Sequence, residues 1–222
     1  MIPYFSGLVY ITLDLRRALF VSEATDAMII CSYSSDLLPI MRKKGVKIWC
    51  FEELYPNEHL PRTSFQLLNH GKTRKMLRTL EGHLRFMVFK PSNRVRELMK
   101  KYHWELISPD IETCRKIEDK IVFIELAKTH DIAIPKSTLY LWDPGQIKTY
   151  EKKFGPKFVV QGRIGHAGSC TWIVDHGAVT GPKERGGIIH GTRVKISEFI
   201  NSPTYTVNGY VSPKGKLVIS PL

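Results

Sequence analysis

Between Gly162 and Ser169 the chain reads Gly-Arg-Ile-Gly-His-Ala-Gly-Ser, set between two β-branched apolar segments, Lys157–Gln161 and Cys170–Val174. This predicts a strand–loop–strand hairpin whose tip brings backbone N–H groups against an anion. Glycine admits positive φ and lacks the Cβ that would hold phosphate oxygens away. Ordinary hairpins also use glycine, so the loop alone says little. The order of the next segments says more: Arg193-Val-Lys-Ile-Ser-Glu-Phe-Ile200 reads as a second alternating strand running into Thr204-Tyr-Thr-Val-Asn-Gly-Tyr-Val211. Together these pieces imply a nucleotide clamped between a hairpin and a second sheet.

The elements that must position this loop come in two grammars. In the first part, Asp26–Cys31 reads as a buried strand, Ser34–Lys44 as a helix stopped at Gly45, and Val46–Phe51 as the next strand. The same β–α–β pattern recurs as Leu84–Phe89, Pro91–Tyr102 and Trp104–Ile107. Strands alternating with helices predict a doubly wound parallel sheet. Arg62–Leu80, between them, is basic and partly helical in pattern. After Pro109 the pattern turns helical: a short helix capped by Ser108 or Asp110, then Glu118–Thr129, then Asp143–Phe154 ending at Gly155-Pro156. From Lys157 onward it is mostly β, with a glycine-rich, charged loop expected over Gly177–Gly191.

Composition sets the outer bounds. The 222 residues allow one large domain or two small ones, with 43% hydrophobic and 24% charged residues, ordinary values for a globular protein. No apolar run approaches the roughly 20 residues needed to span a bilayer. Met1-Ile-Pro-Tyr-Phe shows no basic segment before an apolar core, so neither a signal peptide nor a membrane role is expected, and a cytoplasmic location is. Cys31, Cys50, Cys114 and Cys170 are scattered and read as reduced thiols. The net charge of +12 fits a polyanionic partner, or a solvated basic surface. The basic residues form no dense arm and no nucleic-acid module, which makes nucleic acid a weak alternative to a nucleotide.

Four passages resemble the ATP-grasp superfamily. Glu118-Asp-Lys120 followed by a helix and Asp131-Ile-Ala-Ile-Pro135 is similar to its phosphate-binding helix and exit turn. Phe158-Val-Val-Gln161 with Gly165–Ser169 is similar to its strand and glycine loop. Ile196-Ser-Glu-Phe-Ile200 resembles its hinge strand, and Thr206–Val211 with Lys214-Gly-Lys216 the hairpin after it. The resemblance implies a pre-ATP-grasp α/β domain over 1–109 and an incomplete α+β ATP-grasp domain over 110–222. The second would comprise a helical lead-in at 110–155, a glycine-loop lid at 156–195, and a hinge with the start of a C-terminal subdomain at 196–222.

It further implies ATP as ligand. Lys120, Gln161, Arg163, Gly165, His166, Ala167, Gly168 and Ser169 would lie at the phosphates, Glu198, Phe199 and Ile200 at adenine, and Thr204 near the ribose. Without the resemblance Lys120 reads as a surface lysine on an amphipathic helix, and Phe199 and Ile200 read equally as core. Gln161 stands where many relatives carry a second lysine, and Arg163 or His166 could compensate; Thr204 stands where many carry a glutamate. The implied parent activity is ATP-dependent carboxylate activation through an acyl-phosphate, followed by attack of an amine or thiol.

Glu184, Asp175 and Glu198 form no cluster at metal-ligand spacing. Mg²⁺ is therefore expected only with a C-terminal segment that the family carries beyond Leu217–Leu222. The chain is read as catalytically incomplete, either part of a longer enzyme or a shortened relative. Self-association through the sheet edge at Leu222 is a further expectation, and a non-catalytic binding module the rival class. Gly71-Lys-Thr73 lacks the earlier glycine of a P-loop, since Gln66 occupies that place. The eight histidines show no zinc spacing, and Ser169-Cys170 has no nucleophile elbow.

Overall fold

A computed structural model describes residues 7–165, 168–182, 187–203, 205, 207, 209–211 and 215–219. The chain divides into two compact units, the first running to Ile111 and taking in the described residues after Tyr205, the second covering Glu112–Tyr205.

In the first unit, in chain order, are β1 (Leu8–Thr12), α1 (Leu19–Ala24), β2 (Met28–Cys31), α2 (Leu37–Lys43), β3 (Ile48–Cys50), α3 (Phe51–Leu54), α4 (Ser64–Asn69), α5 (Gly71–Leu77), β4 (Arg85–Val88), α6 (Asn93–Lys101) and β5 (Glu105–Leu106). The strands form a parallel sheet of order β3-β2-β1-β4-β5, as the β–α–β grammar predicts. Its central strand, β1, is not among the strands expected from the sequence. Leu8-Val-Tyr-Ile-Thr12 is buried at every position, so it carries neither a period of two nor one of 3.6. Val9, Ile11, Phe86, Val95 and Leu98 pack on one face of the sheet, and Tyr10, Leu15, Ile29, Leu38 and Met41 on the other.

The second unit continues with α7 (Ile111–Glu118, starting at the boundary), α8 (Lys120–Thr129), β6 (Ser137–Leu141), α9 (Ile147–Phe154), β7 (Lys157–Gln161), β8 (Thr171–Asp175), β9 (Ala178–Thr180) and β10 (Arg193–Glu198). These strands make an antiparallel sheet of order β6-β10-β7-β8-β9. The expected loop over Gly177–Gly191 is thus partly strand: β9 turns back on β8, with Thr180 opposite Ile173. The β-branched pair Val179-Thr180 has a free edge to join, and that edge outweighs the glycines around it. After β10, β11 (Gly209–Val211) and β12 (Leu217–Ile219) form an antiparallel pair. Among the described residues no helix is long and apolar enough to cross a membrane.

One face of the antiparallel sheet is the core of this unit. Phe158, Val160, Trp172, Val174, Val194 and Ile196 pack with Trp142, Tyr150 and Phe154. Each fully buried side chain of this kind contributes about 1.5–3 kcal/mol. A one-residue slip of β10 would turn Lys195 and Ser197 onto the core face in place of Val194 and Ile196, so the register is fixed. Ile196→Val should therefore lower the unfolding free energy by about 0.5–1.5 kcal/mol in urea titration, and Ile196→Lys should prevent this unit from folding.

Candidate functional site

The start of α8 is organised by Asp119, a residue the sequence reading passes over in favour of its neighbour. Its backbone is extended, and its carboxylate caps the helix: Oδ1 accepts from the amides of Ile121 at 3.0 Å and Val122 at 3.3 Å. Oδ2 accepts from Nε of Arg163, on the glycine loop. Burial acts to raise the Asp119 carboxyl, but the Arg163 guanidinium and the two amides outweigh it and hold it below the usual aspartate range. The pair is lopsided, with the Asp119 side chain 5% exposed and that of Arg163 67%. Solvent screens the exposed partner, so the pair contributes at most about 1 kcal/mol beyond the cap.

Lys120 follows directly and is bound to the same loop twice. Its amide donates to the Arg163 carbonyl at 3.0 Å, and its Nζ donates to the Gly165 carbonyl at 3.0 Å. Gly165 lets the two limbs of the loop approach each other: a Cβ there would lie 2.7 Å from the Cys170 Cβ and 2.9 Å from the Cys170 amide nitrogen. The far limb of the loop is pinned by the Thr171 amide donating to the Gly168 carbonyl at 2.9 Å, with Ser169 beside it in the turn. His166, Ala167 and Thr204 lie outside the described residues.

The sheet face turned away from the core carries a polar row. Lys195 of β10 stands in register with Gln161 of β7, which stands in register with Thr171 of β8. The Gln161 side-chain amide donates to Thr171 Oγ1 at 3.3 Å. Burial pushes the Lys195 ammonium below the usual lysine range, and the charge of Lys120 pushes it further the same way. Lys195 was not legible as a site residue. Its place on an alternating strand was, but only pairing with β7 shows which face it shares and with what.

Along β10, three to four residues or about 10–14 Å of strand beyond Lys195, lies the expected hinge. The Glu198 amide donates to the Lys136 carbonyl at 3.0 Å, and its carboxylate accepts from the Lys136 amide at 2.7 Å. Phe199 is half-buried, with Lys157 Nζ 4.6 Å from its ring centroid; Lys157 is also paired with Asp175 at 3.0 Å. Ile200 is 54% exposed, which excludes it from the core. Lys120, Arg163 and Gly165 are therefore brought together, Gln161 joins Lys195 on the sheet, and Glu198 and Phe199 form a separate group at the strand's end. Among the described residues, no three His, Cys, Asp or Glu side chains converge as a metal site.

No protein-family description and no curated protein sequence matches the chain. Solved structures do. The phosphoribosylamine–glycine ligase of Thermotoga maritima matches over 96% of this chain and 49% of its own, with TM-score 0.54 and 14% identity. The N5-carboxyaminoimidazole synthetase of Staphylococcus aureus matches over 98% of this chain and 53% of its own, with TM-score 0.51 and 10% identity. A complex of that synthetase with ADP matches with TM-score 0.50 and 10% identity, over 98% of this chain and 54% of its own. The chain thus spans about half the length of the enzymes it matches. Its fold is that of the N-terminal half of the ATP-grasp enzymes: a parallel α/β domain followed by the first antiparallel sheet.

Asp119→Ala should destabilise the second unit by about 1–2 kcal/mol through loss of the cap, read from urea unfolding. Because the folded carboxyl titrates low, its contribution is complete above the unfolded value near 3.9 and is lost as pH falls through the folded value. Asp119→Asn should therefore flatten the dependence of stability on pH below about 4; an unchanged acid limb would disprove the pairing.

Proposed function

We propose that this chain binds ATP through its second unit. The α8 start and glycine loop would take the phosphates, and the β10 end the adenine, as part of an ATP-dependent carboxylate activation. The observation that carries the reading is the convergence of Lys120, Arg163 and Gly165, residues up to 45 positions apart, at one helix start. A phosphate chain there meets an ammonium group with donors to spare and loop amides, both of which favour negative charge. Gly168 and Ser169 belong to the same proposed phosphate contact, with Gln161 contributing an uncharged donor.

At the adenine end, Phe199 is steadied by Lys157 and offers an apolar face to a purine, with Ile200 beside it. The Glu198 amide is engaged with Lys136. That leaves the carbonyl side of this segment, and the amides beyond it, to read the base edge. A solved synthetase of the same fold was obtained with ADP, which supports the choice of nucleotide. Completing an acyl-phosphate reaction would further require magnesium, to offset charge developing on the phosphates, and a carboxylate substrate.

A second reading is favoured by the net charge of +12. In it the chain is a binding module for polyanions, without nucleotide selectivity. The two separate in one titration, using a non-hydrolysable ATP analogue and its GTP counterpart at two salt concentrations. Nucleotide binding predicts adenine preference that survives moderate salt and at least a tenfold loss in Lys120→Ala, in line with a charge-assisted hydrogen bond. Equal affinity for both nucleotides, falling steeply with salt, predicts the polyanion module instead.

A further inference from the structure

Lys195 is a second cation in register with Gln161, two residues before the Arg163 carbonyl that accepts from the Lys120 amide, and it takes no part in the contacts that join helix to loop. Val194 and Ile196 are fully buried on the core face, so Lys195 must project from the other. Its neighbours in register are Leu139 on β6 and Gln161 on β7, and the row ends in Thr171. None of the three is an acid. The charge felt at Lys195 is that of Lys120 at the start of α8, where the acid, Asp119, is already committed to Arg163 and two amides. Among the described residues Lys195 has no carboxylate partner, although it is half-buried and lies close enough to Lys120 to feel its charge.

Two lysines placed together in part shelter from water, without a counter-ion, are unfavourable in themselves. A lysine whose only role was to cover the sheet with its stem would keep its ammonium in water, away from a like charge. An anion bridging both groups removes the repulsion and recovers the desolvation.

We propose that Lys195 and Lys120 form a two-lysine cradle for the polyphosphate, with the second positive charge supplied from β10. This rests on the nucleotide reading of the same site. Gln161 is an uncharged donor held by Thr171, and the strand beside it carries the ammonium one register position across. Charge on this face is thus set by the row and not by a particular strand, so it can be moved between the two positions.

The test is calorimetric titration of the full chain with three probes, a non-hydrolysable ATP analogue, inorganic tripolyphosphate and adenosine, at ordinary and raised salt. Lys195→Gln should weaken the analogue and tripolyphosphate about tenfold or more and leave adenosine unchanged. The exchanged pair Gln161→Lys with Lys195→Gln should restore most of that loss. A merely structural lysine would show no rescue. In the wild-type chain, NMR titration of the Lys195 side chain should give a pKa below the ordinary lysine value that rises when tripolyphosphate is added, a readout that does not depend on any variant folding.

Unchanged phosphate affinity in Lys195→Gln while the analogue still binds would overturn the cradle and leave the nucleotide reading intact. Lys195-dependent binding of tripolyphosphate without any preference for adenine would support the cradle and overturn the nucleotide reading. Failure of the wild type to bind either phosphate probe would overturn both.

Discussion

The carboxylate of Asp119 holds the candidate site together. With one oxygen it closes the first turn of α8, and with the other it takes the guanidinium of Arg163 from a loop 44 residues away. Those two commitments fix where the helix begins and where the loop starts. Lys120 can then reach the Arg163 carbonyl with its amide and the Gly165 carbonyl with its side chain. The energies are modest taken singly, about 1 kcal/mol for a cap and less for a half-exposed ion pair. Their value lies in being mutually dependent, since each fixes a group that the next requires.

The antiparallel sheet supplies the other constraint. Its core face is a continuous apolar surface, and alternation then assigns Gln161, Thr171 and Lys195 to the opposite side without further choice. A face set in this way can carry unfavourable chemistry, because the burial of Phe158, Val160 and Ile196 outweighs the repulsion between two partly hydrated lysines. Local strain of this sort, held in place by a well-packed scaffold, is how binding sites are commonly pre-organised.

Fold and function stand on different footings in this chain. The two sheets match solved ATP-grasp enzymes over almost the whole of its length at 10–14% identity, a level at which architecture survives and side-chain roles are redistributed. A site is better judged by the charge and geometry of its face than by the residue at one position.

Local signals in the sequence were enough for the β–α–β grammar of the first unit, the hairpin around the glycine loop, and the existence of the helix that ends at Thr129, because periodicity and glycine placement are read within a few positions. Family resemblance placed Lys120, Arg163 and Gly165 among the candidates. The same reading missed β1, whose residues are buried on both sides and so carry no period, and β9, which is strand because β8 offers an edge. It also missed Asp119, although an aspartate directly before an apolar helix is a legible cap. That Asp119 and Arg163 meet, that Glu198 is engaged by Lys136, and that Lys195 shares a face with Gln161 emerged only once the chain was folded. Those facts depend on strand register and on contacts between residues more than 30 positions apart in the chain. Register is chosen by the burial of a whole strand against its neighbours, and no local stretch of sequence contains that choice.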